Sequence, residues 1–279
     1  KLINQISKKL SKKTSVGIRL NPNISGNTHK KISTGGKNEK FGLLYKDCIT
    51  LCKKINKMKN LKLEGLSVHI GSQITSIKPF KKVLLILKKI INKTEIDFKF
   101  IDLGGGMGIS YSNNEKKLDL NKYAKLVNKF LENKKTQIIF EPGRFIVGNT
   151  AILITKIIYI KKSNRKNFII LDAGMNNLMR PALYNAHHQI IPLKKTNKLL
   201  RGNLEFVGPV CESSDKFSTQ KRFSQIKEGD YIGLANVGAY GMSLSSNYNT
   251  RPTIAEIMVS GSKHKIIRKR QSLENLVNN

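Results

Sequence analysis

The sequence predicts an α/β segment with a parallel sheet, followed by an all-β domain. Between Ser15 and Arg144, short β-branched runs alternate with stretches of helical periodicity, the rhythm of repeated βα units. Each strand-like run is followed at once by a polar or glycine-rich cluster: Asn21, His69 with Gly71-Ser72, Asp102 to Gly106, and Glu141 to Arg144. Chemistry gathered at the carboxyl ends of parallel strands is the habit of a (β/α)8 barrel. A complete barrel takes ~200 residues or more, so four strands make either an open sheet or about half of a barrel. Past residue 150 the long helical patterns stop and strand-like runs separated by turns take over.

The elements follow in order. Ser15–Leu20 is a β-branched run closed by Asn21-Pro22, and a glycine- and lysine-rich loop follows it. Phe41 to about Met58 carries Leu44, Cys48, Leu51, Cys52 and Ile55 at helical spacing. Gly65–Ile70 reads as a strand, and Pro79 opens a helix striped by Val83, Leu84, Leu87, Ile90 and Ile91. Phe98–Leu103 is a strand, Leu120–Leu131 a helix, and Gln137–Phe140 a strand. In the second half the strand-like runs are Ala151–Ile160, Asn167–Leu171, His188–Pro192, Leu204–Val207, Asp230–Ala235 and Ile254–Val259.

Composition narrows the function. Of 279 residues 39% are hydrophobic, enough for a core and too many for a disordered chain. No apolar run approaches the ~18 residues a membrane helix needs, and the start shows no signal-peptide pattern. Three cysteines without a C-x-x-C pair suit a reducing cytoplasm. Lys+Arg outnumber Asp+Glu by 51 to 18, a formal charge of +33. The lysines are spread as pairs over every segment (Lys8/Lys9, Lys53/Lys54, Lys116/Lys117) and arginine is scarce. A nucleic-acid binder clusters its charge, so this excess reads as compositional bias, with no specific nucleic-acid partner and only salt-sensitive attraction to polyanions.

Several short motifs carry chemistry. Asp102-Leu-Gly-Gly-Gly106 follows a strand directly, and consecutive glycines let backbone amides approach an anion, although a plain turn has the same composition. Glu141-Pro-Gly-Arg144 sets a carboxylate, a glycine and a guanidinium at one strand end. The pair suits either a structural ion pair or a site that binds a protonated ring nitrogen and an anion. His69 closes a strand beside these clusters, where a flat imidazole can stack on an aromatic cofactor. Gly208-Pro-Val-Cys211-Glu212 places a thiol next to a carboxylate in a turn, which makes Cys211 the candidate reactive cysteine. Cys48 and Cys52 lie on the apolar helix stripe and read as core. No metal site is predicted, because the adjacent His187 and His188 point different ways in a strand.

Together these segments resemble the fold-type III pyridoxal-phosphate-dependent decarboxylases, the alanine-racemase-like barrel family. The resemblance rests on Thr34-Gly35 through Lys40-Phe41-Gly42, His69-Ile-Gly-Ser-Gln73, Asp102–Gly106, Glu141–Arg144, and Asp172-Ala-Gly-Met175 with Arg180-Pro-Ala-Leu-Tyr184. It continues through Gly208–Glu212, Gly238-Ala-Tyr-Gly-Met242, Ser246-Asn-Tyr-Asn249 and Arg251-Pro252. It implies the C-terminal half of an alanine-racemase-like (β/α)8 barrel over residues 1–148, binding cofactor. A β-barrel or sandwich domain over 149–279 would make substrate and dimer contacts. The implied cofactor is pyridoxal 5'-phosphate, stacked on by His69 and held through its phosphate by Ser72, Gly104, Gly105, Gly106 and Tyr240. Glu141 would pair with the ring nitrogen, in a segment completed by Gly143 and Arg144. Cys211, reaching over from the partner subunit of a homodimer, would return a proton to the carbon that loses CO2. Arg144, Arg180 and Tyr184, with Tyr240 beside them, would take the substrate's distal carboxylate, and Glu212 its distal ammonium. A substrate carrying both charges at its far end needs both an arginine clamp and an acid, which favours meso-2,6-diaminopimelate, decarboxylated to L-lysine, over ornithine or arginine.

The sequence departs from the family pattern at Asn177, where Asp is usual, and at His187, where Tyr is usual. The Tyr-Ala-x-Lys strand that carries the family's Schiff-base lysine is absent, which places that lysine upstream of Lys1 and predicts that these residues alone do not turn over substrate. A half-barrel also leaves a parallel edge open, which predicts poor solubility. Three alternatives remain: a sister decarboxylase of another carboxylated polyamine precursor, a non-catalytic binding relative, and the basic nucleic-acid binder.

Overall fold

The computed structural model describes residues 1–24, 35–36, 39–112, 115–132, 135–194 and 196–278. It divides into two compact units, Lys1–Ser110 with Lys116–Ile146, and Tyr111–Glu115 with Val147–Asn279. Thr34, part of the first segment that carries the family resemblance, lies outside the described residues.

The first unit runs α1 (Leu2–Lys9), β1 (Thr14–Leu20), α2 (Tyr45–Asn56), β2 (Leu61–Val68), α3 (Ile77–Thr94), β3 (Phe100–Asp102), α4 (Leu120–Leu131) and β4 (Gln137–Ile139), with the short α5 (Gly143–Val147) after it. Its strands form one parallel sheet in the order β1-β2-β3-β4. This is the βα repeat of an incomplete barrel, and each strand ends where the sequence places a polar cluster. One core holds the unit together, built from strand residues such as Leu20, Leu66 and Ile101 and from helix residues such as Cys48, Cys52, Leu87 and Ile90. Cys48 and Cys52 are fully buried, as their place on the stripe predicts.

Two boundaries differ from expectation for local reasons. Helix α3 starts at Ile77, not Pro79, because the Ser76 side chain accepts the Lys78 N–H and caps the helix. Pro79 then falls in the first turn, where its missing N–H costs nothing. Strand β2 begins at Leu61, four residues before the expected start, with Leu61, Leu63 and Gly65 buried. Gly65 is needed there: it pairs with Phe100 on β3, whose ring occupies the place a Cβ would take, and the same ring reaches Gly17 on β1.

The second unit runs β5 (Ile152–Lys162), β6 (Asn167–Leu171), α6 (Arg180–Tyr184), β7 (Ile190–Pro192), β8 (Leu199–Val207), β9 (Lys216–Ser224), β10 (Tyr231–Ala235), β11 (Glu256–Ser260), β12 (Lys263–Arg268) and α7 (Leu273–Val277). Six strands form a sheet in the order β7-β10-β5-β6-β8-β9, and β11 pairs with β12. All pairs are antiparallel except β6 with β8. Ile157, Ile169, Leu171, Leu204, Phe206 and Ile232 fill the core of this sheet. Strands β9 and β12 were not anticipated, and His188 lies in the turn before β7, not in a strand.

The core of the first unit sets a stability test. Replacing the buried Leu87 by Ala should cost about 2–5 kcal/mol in urea unfolding. The same change at the exposed Leu85, two residues away on the solvent side of α3, should cost no more than about 0.5 kcal/mol.

Candidate active site

The carboxyl ends of β2, β3 and β4 carry the first group of candidate residues. His69 follows β2, and its Nδ1 accepts the N–H of Gly105 at 3.1 Å. The imidazole is thereby set as the neutral tautomer with its proton on Nε2. Burial, then the charge of Arg19, lowers its pKa below the ordinary histidine value, against the opposing pull of Glu141 and Asp102. The Gly104 N–H is bonded to Asp102 Oδ1 at 2.8 Å. Two of the three glycine amides expected to cradle an anion are therefore already engaged, one within the loop by Asp102 and one by His69 from the end of β2. The glycines are also required by packing. Gly104 and Gly106 have positive φ, and a side chain at Gly105 would overlap the Glu141 carbonyl.

Ser72 and Arg144 come together beside them. Arg144, nearly fully buried in α5, donates Nε–H to Ser72 Oγ at 3.1 Å. A hydroxyl that accepts from a guanidinium keeps its own proton for an acceptor, so Ser72 is left as an anion donor. The Glu141 side chain is exposed, while its backbone N–H bonds Gly104 O at 2.9 Å. Gly143 opens α5 with free space where a Cβ would stand.

In the second unit a buried carboxylate organises the candidate residues. Asp215 accepts the Met175 N–H at 2.7 Å through one oxygen and the Val210 N–H at 2.8 Å through the other. Its backbone carbonyl takes the Gly208 N–H, and its own N–H bonds Glu212 O. The loop Gly208–Asp215 between β8 and β9 is thus tied to the Asp172–Met175 segment, with Cys211 exposed on it. Burial pushes the Asp215 carboxyl up, while the two backbone bonds pull it down.

Glu212 is fixed at both oxygens, by Ser214 Oγ at 2.5 Å and by the Tyr248 hydroxyl at 2.7 Å. These two bonds hold its carboxyl below the usual range, so it is an anion at neutral pH. Arg251 donates to Asn176 Oδ1 at 3.2 Å and to the Asp172 carbonyl. Four of the sequence segments noted for the second half, Asp172–Met175, Gly208–Glu212, Ser246–Asn249 and Arg251-Pro252, are therefore joined by hydrogen bonds, directly or through Asp215.

Arg180 opens α6, buried, with its guanidinium 4.6 Å above the Tyr111 ring and Nη1 2.9 Å from His188 Nε2. Tyr184 ends the same helix, half-buried. Asn177 is buried and accepts the Gly174 N–H, whereas His187 is exposed. Tyr240 is exposed, with a positive φ of 60°. Sequence reasoning missed Asp215, His188 and Tyr111, and gave no role to Tyr248 although it lies in a segment that carries the resemblance. Of these, Asp215 had a signal, standing four residues after Cys211 in the same turn.

Residues 1–148 match the family described as "Pyridoxal-dependent decarboxylase, pyridoxal binding domain". The chain belongs to this decarboxylase family. It is 39% identical over 279 residues to the diaminopimelate decarboxylase of Aquifex aeolicus, covering 99% of this chain and 66% of that protein. With the Haemophilus influenzae diaminopimelate decarboxylase the identity is 39%, over 99% of this chain and 67% of the relative. The crystal structure of Helicobacter pylori diaminopimelate decarboxylase complexed with L-lysine matches with a TM-score of 0.89 and 39% identity, covering 99% of this chain and 69% of that one. The chain thus spans about two thirds of the length of the curated relatives it matches. The structural match runs over both units of this chain, the βα repeat and the β domain that follows it. The residues present fit the family's pyridoxal cofactor: Ser72 with a proton to donate, Arg144 as a cation, a neutral imidazole and an exposed carboxylate.

Two tests follow from this geometry. His69 has a lowered pKa, so the unfolded chain binds the proton more readily than the folded one. Stability should fall as pH drops below about 6.5 and on through the lower folded value. In urea midpoints against pH, the His69→Gln protein should lose that part of the acid slope, and an unchanged slope would count against the assignment. Replacing Asp215 by Ala strands two N–H donors and should cost about 2–5 kcal/mol. Amide hydrogen exchange should then speed up at Val210 and Met175 before the strands are affected.

Proposed function

We propose that this chain supplies cofactor and substrate groups of a pyridoxal-phosphate-dependent carboxy-lyase that converts meso-2,6-diaminopimelate to L-lysine and CO2. The observation that carries the reading is a pair of opposite fixed charges in the second unit. Arg180 is a buried guanidinium held by named partners, and Glu212 is a carboxylate kept ionised by two hydroxyls. A substrate whose far end bears a carboxylate and an ammonium needs both. Similarity to diaminopimelate decarboxylases along 99% of the chain supports the same substrate.

The bound cofactor supplies an electron sink for the bond that breaks as CO2 leaves. Around it, His69 would lie on the ring face, and its neutral state suits contact with a protonated ring. Glu141 would hold the proton at the ring nitrogen. Ser72, the Gly104–Gly106 loop and Tyr240 would bind the phosphate, with Gly106 the glycine of that loop whose amide the local bonds above do not use. Arg144 would present its guanidinium to the anionic groups of cofactor and substrate. Arg180 and Tyr184 would take the distal carboxylate and Glu212 the distal ammonium. Cys211 would return a proton to the α-carbon, excluding water by filling that position. Its exposure on a tied-down loop suits delivery to the partner subunit of a homodimer. Cytoplasmic residence fits three cysteines that form no disulfide with one another.

The test joins this chain to the part of the Helicobacter pylori enzyme that it does not match, with the parent enzyme as control. Release of CO2 from meso-diaminopimelate and from D-lysine is then compared in the presence of pyridoxal phosphate. The two substrates share the reacting carbon and differ in the distal carboxylate. The expected preference in kcat/KM is on the order of 10²-fold or more for diaminopimelate, lost in Arg180→Ala. Comparable turnover of both by the unmutated protein would sink the proposal.

A further inference from the structure

We infer that His188 is a positioning residue that fixes the guanidinium of Arg180 for the substrate's distal carboxylate; this rests on the reading of Arg180 given above. His188 lies in the turn between α6 and β7 and is fully buried. The turn is made by Asn185, which ends α6 in the left-handed conformation with φ 52° and brings residue 188 back over residue 180. The next residue, Gln189, takes the Ala235 N–H at the end of β10 and pins the turn to the sheet.

Both ring nitrogens of His188 face groups that allow one role only. Nδ1 stands 2.9 Å from the Ala235 carbonyl oxygen, which accepts and never donates. Nε2 stands 2.9 Å from Arg180 Nη1, which donates and never accepts. The proton must sit on Nδ1 and the lone pair of Nε2 must point at the guanidinium. A backbone carbonyl on a core strand thereby sets, through one imidazole, where a guanidinium nitrogen lies. Tyr111 sets the plane: its ring lies 4.6 Å from the Arg180 guanidinium carbon and meets His188 edge-on at 5.3 Å. Tyr111 is itself held through its N–H by the Glu115 carboxylate at 2.7 Å.

An arginine so held meets a carboxylate without first losing rotamer freedom, and two parallel N–H···O bonds need its plane in place beforehand. A neutral acceptor does this without cancelling the charge, as an aspartate at the same position would. His188 therefore acts on affinity for the distal carboxylate and not on bond breaking.

The probes are L-lysine, which keeps that distal carboxylate, and cadaverine, which lacks it. Both are titrated calorimetrically into the pyridoxal-phosphate-loaded fusion described above. His188→Asn is too short to reach Arg180, whereas the Oε1 of His188→Gln can replace Nε2 as acceptor. The Asn variant should weaken L-lysine about tenfold or more while cadaverine changes by less than about threefold, and the Gln variant should recover most of the loss. KM for diaminopimelate should rise in parallel, with kcat changed little. Equal weakening of both ligands, or no difference between Asn and Gln, overturns the inference. Arg180→Ala separates the two readings. If it leaves the L-lysine preference intact, the clamp assignment fails. If it abolishes the preference and His188→Asn does not, only the positioning role fails.

Discussion

Parallel pairing is the constraint on which the first unit depends. Parallel neighbours cannot be joined by a tight hairpin, so every return crosses over through a helix and every strand ends at the same edge. In this chain the register from β1 to β4 brings Asn21, His69, Asp102–Gly106 and Glu141–Arg144 to that edge, although they are far apart in sequence. The local bonds follow from it. Gly105 meets His69 because β2 and β3 are neighbours, and Gly104 meets Glu141 because β3 and β4 are. The imidazole tautomer and the Ser72–Arg144 pair are set by sheet order more than by sequence proximity.

The second unit solves a related problem with a buried carboxylate. Loops between antiparallel strands have no crossover helix to hold them, so their backbone donors need partners from side chains. Asp215 answers two donors on two segments, and the Ser214 and Tyr248 hydroxyls answer the two oxygens of Glu212. Cys211 and Glu212 therefore sit on a loop with a defined shape, although neither lies in a strand or helix.

What could be read in advance depended on whether a pattern was local. Helix Leu120–Leu131 and strand Asn167–Leu171 have bounds that match their patterns, since a full apolar stripe or a short unbroken apolar run such as Phe168–Leu171 specifies itself. Strand Lys216–Ser224 escaped because its apolar residues are Phe217 and Phe223 amid seven polar neighbours, and its place is set by pairing with β8. Strand Lys263–Arg268 is exposed throughout and shows no buried alternation to read. Gly104–Gly106 was legible as a special loop, but its packing role was not, because the atoms that forbid side chains there come from Val68, Gly71 and Glu141. His188 was passed over for the same reason: a lone histidine gains a role only through what folds against it, here Arg180, Tyr111 and Ala235. Tyr111–Glu115 joins the second unit from inside the first, and nothing in its composition marks that departure.

The Phe100 ring, which covers Gly65 and reaches Gly17, has a consequence for how such a sequence can drift. A side chain at residue 65 would overlap the ring, whereas one at residue 17 would only touch it, so positions 65 and 100, in separate parts of the gene, behave as a single inherited character. A methyl group added at residue 65 is tolerable only if the ring at residue 100 has already become smaller, and a smaller ring leaves a void until one of the glycines has grown. Neither order of steps is neutral. Among homologous chains the pair is expected to change together or stay fixed, so covariation at positions 65 and 100 would record that β2 and β3 are neighbours even where the rest of the sheet had lost recognisable similarity.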